Sequence, residues 1–135
     1  MSIVRHIGGI GLAGTALASL LWGGGTGAAT TDLAAAEAQF HKSCGTCHTT
    51  EANAPPRQGP NLRGVVGRKA GTLSGFAYSD ALKAAGRNGL VWTPDAIDKW
   101  ITDAGKFIPG VNMMYRQADP AKRHLVIKYL ESVSK

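Results

Sequence analysis

The chain has 135 residues, 44% hydrophobic and 18% charged, which fits one globular domain and excludes a disordered chain. Its 18 glycines are neither periodic nor confined to one tract, and its two cysteines cannot build a multi-disulfide framework, so collagen-like, linker and disulfide-rich classes drop out. The net charge of +6 calls for an acidic partner, and with only 7% aromatics the core is small enough that an internal cofactor would help to fill it.

The first segment reads as a targeting signal. Arg5 and His6 follow Met1, and Ile7–Trp22 is an uncharged, largely apolar run. It is shorter than the about 20 residues a spanning helix needs, and small residues follow it at 23–29. Residues 1–29 are therefore expected to be a secretory signal peptide, with cleavage between Thr26 and Thr31 and an uncleaved membrane anchor as the alternative. Residues 30–135 form the expected functional domain, exported to the periplasm.

In the mature chain, Asp32 is a candidate cap for a helix starting at Leu33, whose inward face carries Leu33, Ala36 and Phe40. Residues 49–75 are loop-like, with prolines and glycines throughout. So long a loop needs a reason for its order, and wrapping around a rigid cofactor would supply one. Ser79 is expected to cap a short helix through Ala85, with Gly86 as its stop. Thr93-Pro94 opens another, with Ile97, Trp100 and Ile101 inward and Gly105 and Pro109 at its end. Asp119-Pro120 opens the last, with Val126, Tyr129 and Leu130 inward. No segment alternates as a strand does, so the domain is predicted to be all-α with long loops.

Both cysteines fall in Cys44-Gly45-Thr46-Cys47-His48, the C-x-x-C-H pattern of covalent c-type haem. Two thiols three positions apart can reach the two vinyl groups of one haem, and the adjacent His48 is then carried to the iron. A thioredoxin-type dithiol would sit at a helix N-terminus in a βαβ setting, and zinc would want a second pair of ligands. Candidates for the sixth ligand are Met113, Met114, His41, His124 and the lysines. The spacing after Pro109-Gly110 favours Met113, while His41 lies on the same side as His48 and His124 falls in the last helix.

Further motifs follow in order: Gly59-Pro60-Asn61-Leu62, Gly64-x-x-Gly67-Arg68-Lys69-x-Gly71, Phe76-x-Tyr78-x-Asp80-Ala81, Trp92, Ile108-Pro109-Gly110-x-x-Met113 and Tyr129-Leu130. With the cysteine motif they resemble the class I cytochromes c, in particular the mitochondrial cytochrome c and bacterial cytochrome c2 group. The resemblance implies a small all-α fold, helices and long loops wrapped around one covalently bound haem c and its iron. It implies thioethers from Cys44 and Cys47, axial ligation by His48 and Met113, and a Pro60 carbonyl that accepts the other ring N–H of His48. Arg68, Tyr78 and Trp92 match positions that face the haem propionates. Val111, Leu82, Trp100 and Tyr115 depart from the residues usual at their positions, which alters polarity near the iron.

The implied function is a soluble one-electron carrier, not an enzyme, working between respiratory or photosynthetic complexes. Its partners would be acidic faces of redox proteins: a bc1-type complex on one side, a terminal oxidase or reaction centre on the other. Lys42, Arg57, Lys106 and Arg116 are candidates for the docking rim. No basic run points to nucleic acid, no membrane contact is expected unless the leader stays uncleaved, and a monomer is expected. The alternatives are a cytochrome subunit of a periplasmic dehydrogenase and a haem protein with an open site, a peroxidase or gas binder.

Overall fold

The computed structural model describes residues 26–135, and most of the expected signal segment at 1–29 lies outside them. Five helices follow in order: α1 (Thr26–Ser43), α2 (Asp80–Arg87), α3 (Pro94–Thr102), α4 (Ala104–Phe107) and α5 (Pro120–Ser132). Among the described residues there is no strand, only an isolated antiparallel bridge between Lys69 and Val91. None of the described helices is long and apolar enough to cross a membrane.

The two end helices pack on each other, and α3 packs on α5. From α1, Ala36 and Phe40 are fully buried, as the helical spacing predicts, but Leu33 is 39% exposed. From α5, Val126, Ile127, Tyr129 and Leu130 are buried. The rings of Phe40 and Tyr129 meet at 4.8 Å between centroids. Truncating a ring buried this completely costs about 3–5 kcal/mol, so this crossing is a main source of stability.

Asp32 does not cap α1. The helix is already formed at Thr26 and passes through Asp32, whose carboxylate pairs with Lys128 of α5. The alanine-rich stretch favours helix on both sides of Asp32, so its side chain is free to reach across. The expected cleavage window, Thr26–Thr31, thus falls in the first turns of α1. The other caps stand where the sequence places them. Ser79 accepts from Leu82 N at 3.3 Å, Thr93 from Ala96 N at 3.1 Å and Asp119 from Ala121 N at 2.9 Å.

Two glycines differ from expectation. Gly86 does not stop α2, which runs on to Arg87 with Asn88 as its cap. Gly86 is instead a point of close approach: a Cβ there would lie 2.0 Å from the Ala70 carbonyl oxygen. Gly105 does not end α3. Asp103 ends that helix and caps α4, accepting from Lys106 N at 3.1 Å, so Gly105 lies inside α4.

Residues 48–79 contain no helix, yet their backbone is well tied. Gly67 N donates to Trp92 O, Trp92 N to Arg68 O and Ala70 N to Leu90 O, each at 2.9 Å. Gly67 reaches this pairing with φ +86°, a conformation that suits glycine. The Asn61 amide donates to the carbonyls of Glu51 and Ala54 at 2.8 and 3.1 Å. Thr50 Oγ1 and the Tyr129 hydroxyl share a buried hydrogen bond of 3.0 Å, which fastens the loop to α5.

Gly86→Ala tests the approach of α2 to residue 70. Helix propensity alone would favour alanine by about 1 kcal/mol. The clash with Ala70 reverses the sign, and denaturant titration should show a net loss of about 1–3 kcal/mol.

Candidate haem site

A cavity of about 620 Å³ lies where α1, α3, α5 and the long loops meet, within the range of cofactor pockets. Cys44, Cys47, His48, Pro60, Arg68, Tyr78, Trp92 and Met113 all line it. Its remaining wall is largely apolar, including Leu62, Leu82, Ile97, Val126 and Leu130.

The end of α1 turns the cysteine motif towards this space. Cys44 N donates to Phe40 O at 2.7 Å, continuing the helix, and His48 N donates to Cys44 O at 2.9 Å. That turn places two thiols and an imidazole on one cavity wall. The Cys44 thiol is pushed up to about 12, first by burial and then by neighbouring Cys47, so it stays a neutral thiol. Cys47 donates its S–H to Gln58 Oε1 at 3.0 Å.

His48 is held from behind. Its Nδ1–H donates to the Pro60 carbonyl oxygen at 2.8 Å. A carbonyl can only accept, so the proton sits on Nδ1 and Nε2 keeps its lone pair. Burial lowers the pKa of His48, and the Pro60 bond only partly opposes it, so the ring is neutral near pH 7. Gly59 makes room for this contact, since a Cβ there would lie 2.2 Å from His48 Cε1. Gly59 N to Cys47 O and Leu62 N to Thr49 O, both 2.8 Å, tie the Pro60 segment to the cysteine turn.

Arg68 is the one charged side chain lining the cavity, its guanidinium donating to the carbonyls of Asn61 at 3.0 Å and Arg63 at 3.2 Å. Burial lowers its pKa and raises that of Tyr78, while each side chain's charge partly offsets the other's shift. Trp92 packs on Trp100 with ring centroids 5.3 Å apart, and neither indole N–H has a hydrogen-bond partner among the described residues. Tyr78 packs edge-on against Phe76 at 4.8 Å.

The two methionines separate clearly. Met113 is half-buried against the core cluster, whereas Met114, at the cavity's rim, is 87% exposed. His41 and His124 are exposed and do not line the cavity, and no lysine does. Among the described residues no three His, Cys, Asp or Glu side chains gather as a closed zinc site would require. The donor set fits a haem instead: paired thiols, a neutral imidazole and a thioether around an apolar space, with one guanidinium and unpaired indole N–H groups suited to carboxylates. Sequence reasoning missed Gln58 and Gly59 as parts of this site. The adjacency of Gly59 to Pro60 was the available signal; for Gln58 there was none.

Gly59→Ala should break the His48–Pro60 hydrogen bond. The slowly exchanging imidazole N–H resonance expected of His48 should vanish from the NMR spectrum. Pro60→Ala keeps the carbonyl and should retain that resonance.

Comparison with known proteins agrees with this geometry. No protein-family model matches the chain. It is similar to cytochrome c2 of Rhodopila globiformis, 43% identical over 95 residues that cover 70% of this chain and 86% of the relative. It is similar to cytochrome c-550 of Novispirillum itersonii, 37% identical over 108 residues that cover 74% and 97% of the two chains. Among solved structures, cytochrome c2 from Rhodospirillum centenum superposes with a TM-score of 0.73 at 35% identity, covering 77% of this chain and 99% of that one. An all-helical domain closed around a C-x-x-C-H cavity, with relatives of this identity and coverage, places the chain in the class I cytochrome c family.

Proposed function

We propose that the chain is a soluble periplasmic one-electron carrier whose haem c is attached through Cys44 and Cys47 and ligated by His48 and Met113. The observation that carries this reading is the convergence of both cysteines, a back-bonded neutral His48 and a half-buried Met113 on one cavity. The bound haem supplies a single Fe(III)/Fe(II) couple.

The protein's part is to hold and insulate. Cys44 and Cys47 fasten the cofactor to the end of α1. Pro60 keeps the His48 ring in one tautomer and one orientation, so its lone pair is presented the same way in both oxidation states. Met113 brings a soft thioether, and His/Met ligation raises the potential. Arg68, Tyr78 and Trp92 offer charge and hydrogen bonds to the propionates. The largely apolar wall excludes water and keeps the surroundings stiff. The lining contains no carboxylate, and its single histidine is the proposed iron ligand, so neither residue type is left over for acid–base work on a substrate. This favours a carrier over an enzyme.

Docking follows from charge. The +6 net charge suits acidic faces on redox complexes, with a bc1-type donor and a terminal oxidase or reaction centre as acceptor. Lys42, Arg57, Lys106 and Arg116 are all exposed. Arg57 lies against the cysteine turn, donating to the Gly45 carbonyl at 2.9 Å, while the charge of Arg116 is partly offset by Asp103. The carrier works as a monomer after removal of its leader.

Visible spectra test the ligation. The ferric protein should show the weak far-red sulfur-to-iron band, and the ferrous protein should not bind carbon monoxide. Met113→Ala should abolish the band and bind carbon monoxide readily, whereas Met114→Ala should do neither. A high-spin wild-type spectrum would move the protein to the open-site class. Electron transfer to an acidic partner should slow as ionic strength rises, and Arg57→Glu should slow it by roughly tenfold at low salt. Arg116→Glu should matter less.

A further inference from the structure

The segment joining α4 to α5 carries Met113 with little backbone support. Among the described residues, no backbone–backbone hydrogen bond ties residues 109–114 to another segment of the chain. Packing of Val111 and Met113 holds the middle, and the two stems hold the rest. The returning stem is tied to the preceding helices by Ala104 N to Tyr115 O at 3.3 Å and Gln117 N to Ile101 O at 2.9 Å.

One side chain completes that stem. Arg123, in the first half of α5, donates from Nη1 to the carbonyls of Gln117 at 3.0 Å and Ala118 at 2.9 Å. Its Nε donates to Asp98 of α3 at 2.8 Å. The Arg123 side chain is only 12% exposed, against 72% for Arg116 in its pair with Asp103. A guanidinium removed from water is costly unless its donors are fixed, and one bond to α3 with two to the returning stem fix it. Charged donors also make the stronger hydrogen bonds. Arg123 therefore clamps the returning stem to both α3 and α5, whereas Arg116 is a solvated pair with little hold.

We propose that Arg123 is the positioning residue for Met113: the clamp it forms with Asp98 and the Gln117 and Ala118 carbonyls holds the methionine segment closed over the cavity. This rests on Met113 being the second axial ligand. None of the clamp residues lines the cavity, so their effect is on how often the segment opens.

The test uses the haem-loaded ferric protein and imidazole as a competing ligand. Arg123→Gln should bind imidazole roughly tenfold more tightly than wild type, because a lost charged hydrogen-bond set raises the open population. Arg123→Lys should recover part of the difference, since an ammonium offers a charge without the fork. Asp98→Asn should fall between and keeps the test available should Arg123→Gln fail to load haem. Thr50→Val is the control: it removes the buried bond to Tyr129 away from the cavity and should lower the unfolding midpoint without tightening imidazole. Unchanged imidazole affinity in Arg123→Gln, or in Asp98→Asn where that variant replaces it, would overturn the clamp, as would equal tightening by Thr50→Val at matched stability. A wild-type ferric protein without the far-red band would instead remove the Met113 ligation, and the clamp's role with it.

Discussion

The hydrogen bond from His48 Nδ1 to the Pro60 carbonyl, 2.8 Å long, orders more of the molecule than its size suggests. It requires residues 58–62 to run behind the imidazole, which requires a glycine at 59 and backbone ties from Gly59 and Leu62 to the cysteine turn. Those ties then hold Asn61 where its amide reaches Glu51 and Ala54 and its carbonyl accepts from Arg68. The path of the long loop is thus a chain of dependent contacts that starts at one ring nitrogen. Extended loops lose conformational entropy when ordered, of the order of 1–2 kcal/mol per residue for the backbone, so satisfied polar groups alone could not hold them. The apolar wall they build is what the cofactor's large flat faces are suited to fill.

The wall and the clamp divide the work. One side of the cavity is covalent and rigid: the end of α1, the cysteine turn and Pro60. The other is the segment from Pro109 to Tyr115, short of backbone bonds and held from its stems. A carrier gains from this asymmetry. On the proposed ligation the imidazole side must not move, while the soft thioether of Met113 would favour the reduced iron.

Much of this was legible in the residues. The cysteine motif and the methionine after Pro109-Gly110 each have a chemistry that demands a particular residue type at a particular spacing. So do Thr93-Pro94 and Asp119-Pro120, where a cap and a proline leave little choice. The role of the Pro60 carbonyl came instead from the family resemblance. What failed were residues whose role depends on distant neighbours. Asp32 looked like a cap, but its partner is Lys128 on another helix. Gly86 looked like a stop, but the Ala70 carbonyl is what excludes a side chain there. Thr50, Gln58 and Arg123 carry no local pattern at all, and only the fold brings Tyr129, Cys47 and the Gln117 carbonyl to them. Local chemistry shows in one dimension, and tertiary adjacency does not.

The pairing of α1 with α5 also bears on how the chain acquires its shape. Asp32 and Lys128 are 96 positions apart, and Thr50 and Tyr129 are 79 apart. Bringing such distant segments together closes nearly the whole domain into a ring. The entropic cost grows only with the logarithm of loop length, about 0.6 kcal/mol for each doubling, so the closure is thermodynamically cheap. Kinetically it is not, because contacts of high sequence separation slow the search for the native topology. A ring of this kind has one seam. Removing a turn from either end helix opens the seam, and the loops between then lose the boundary that makes their own contacts meet.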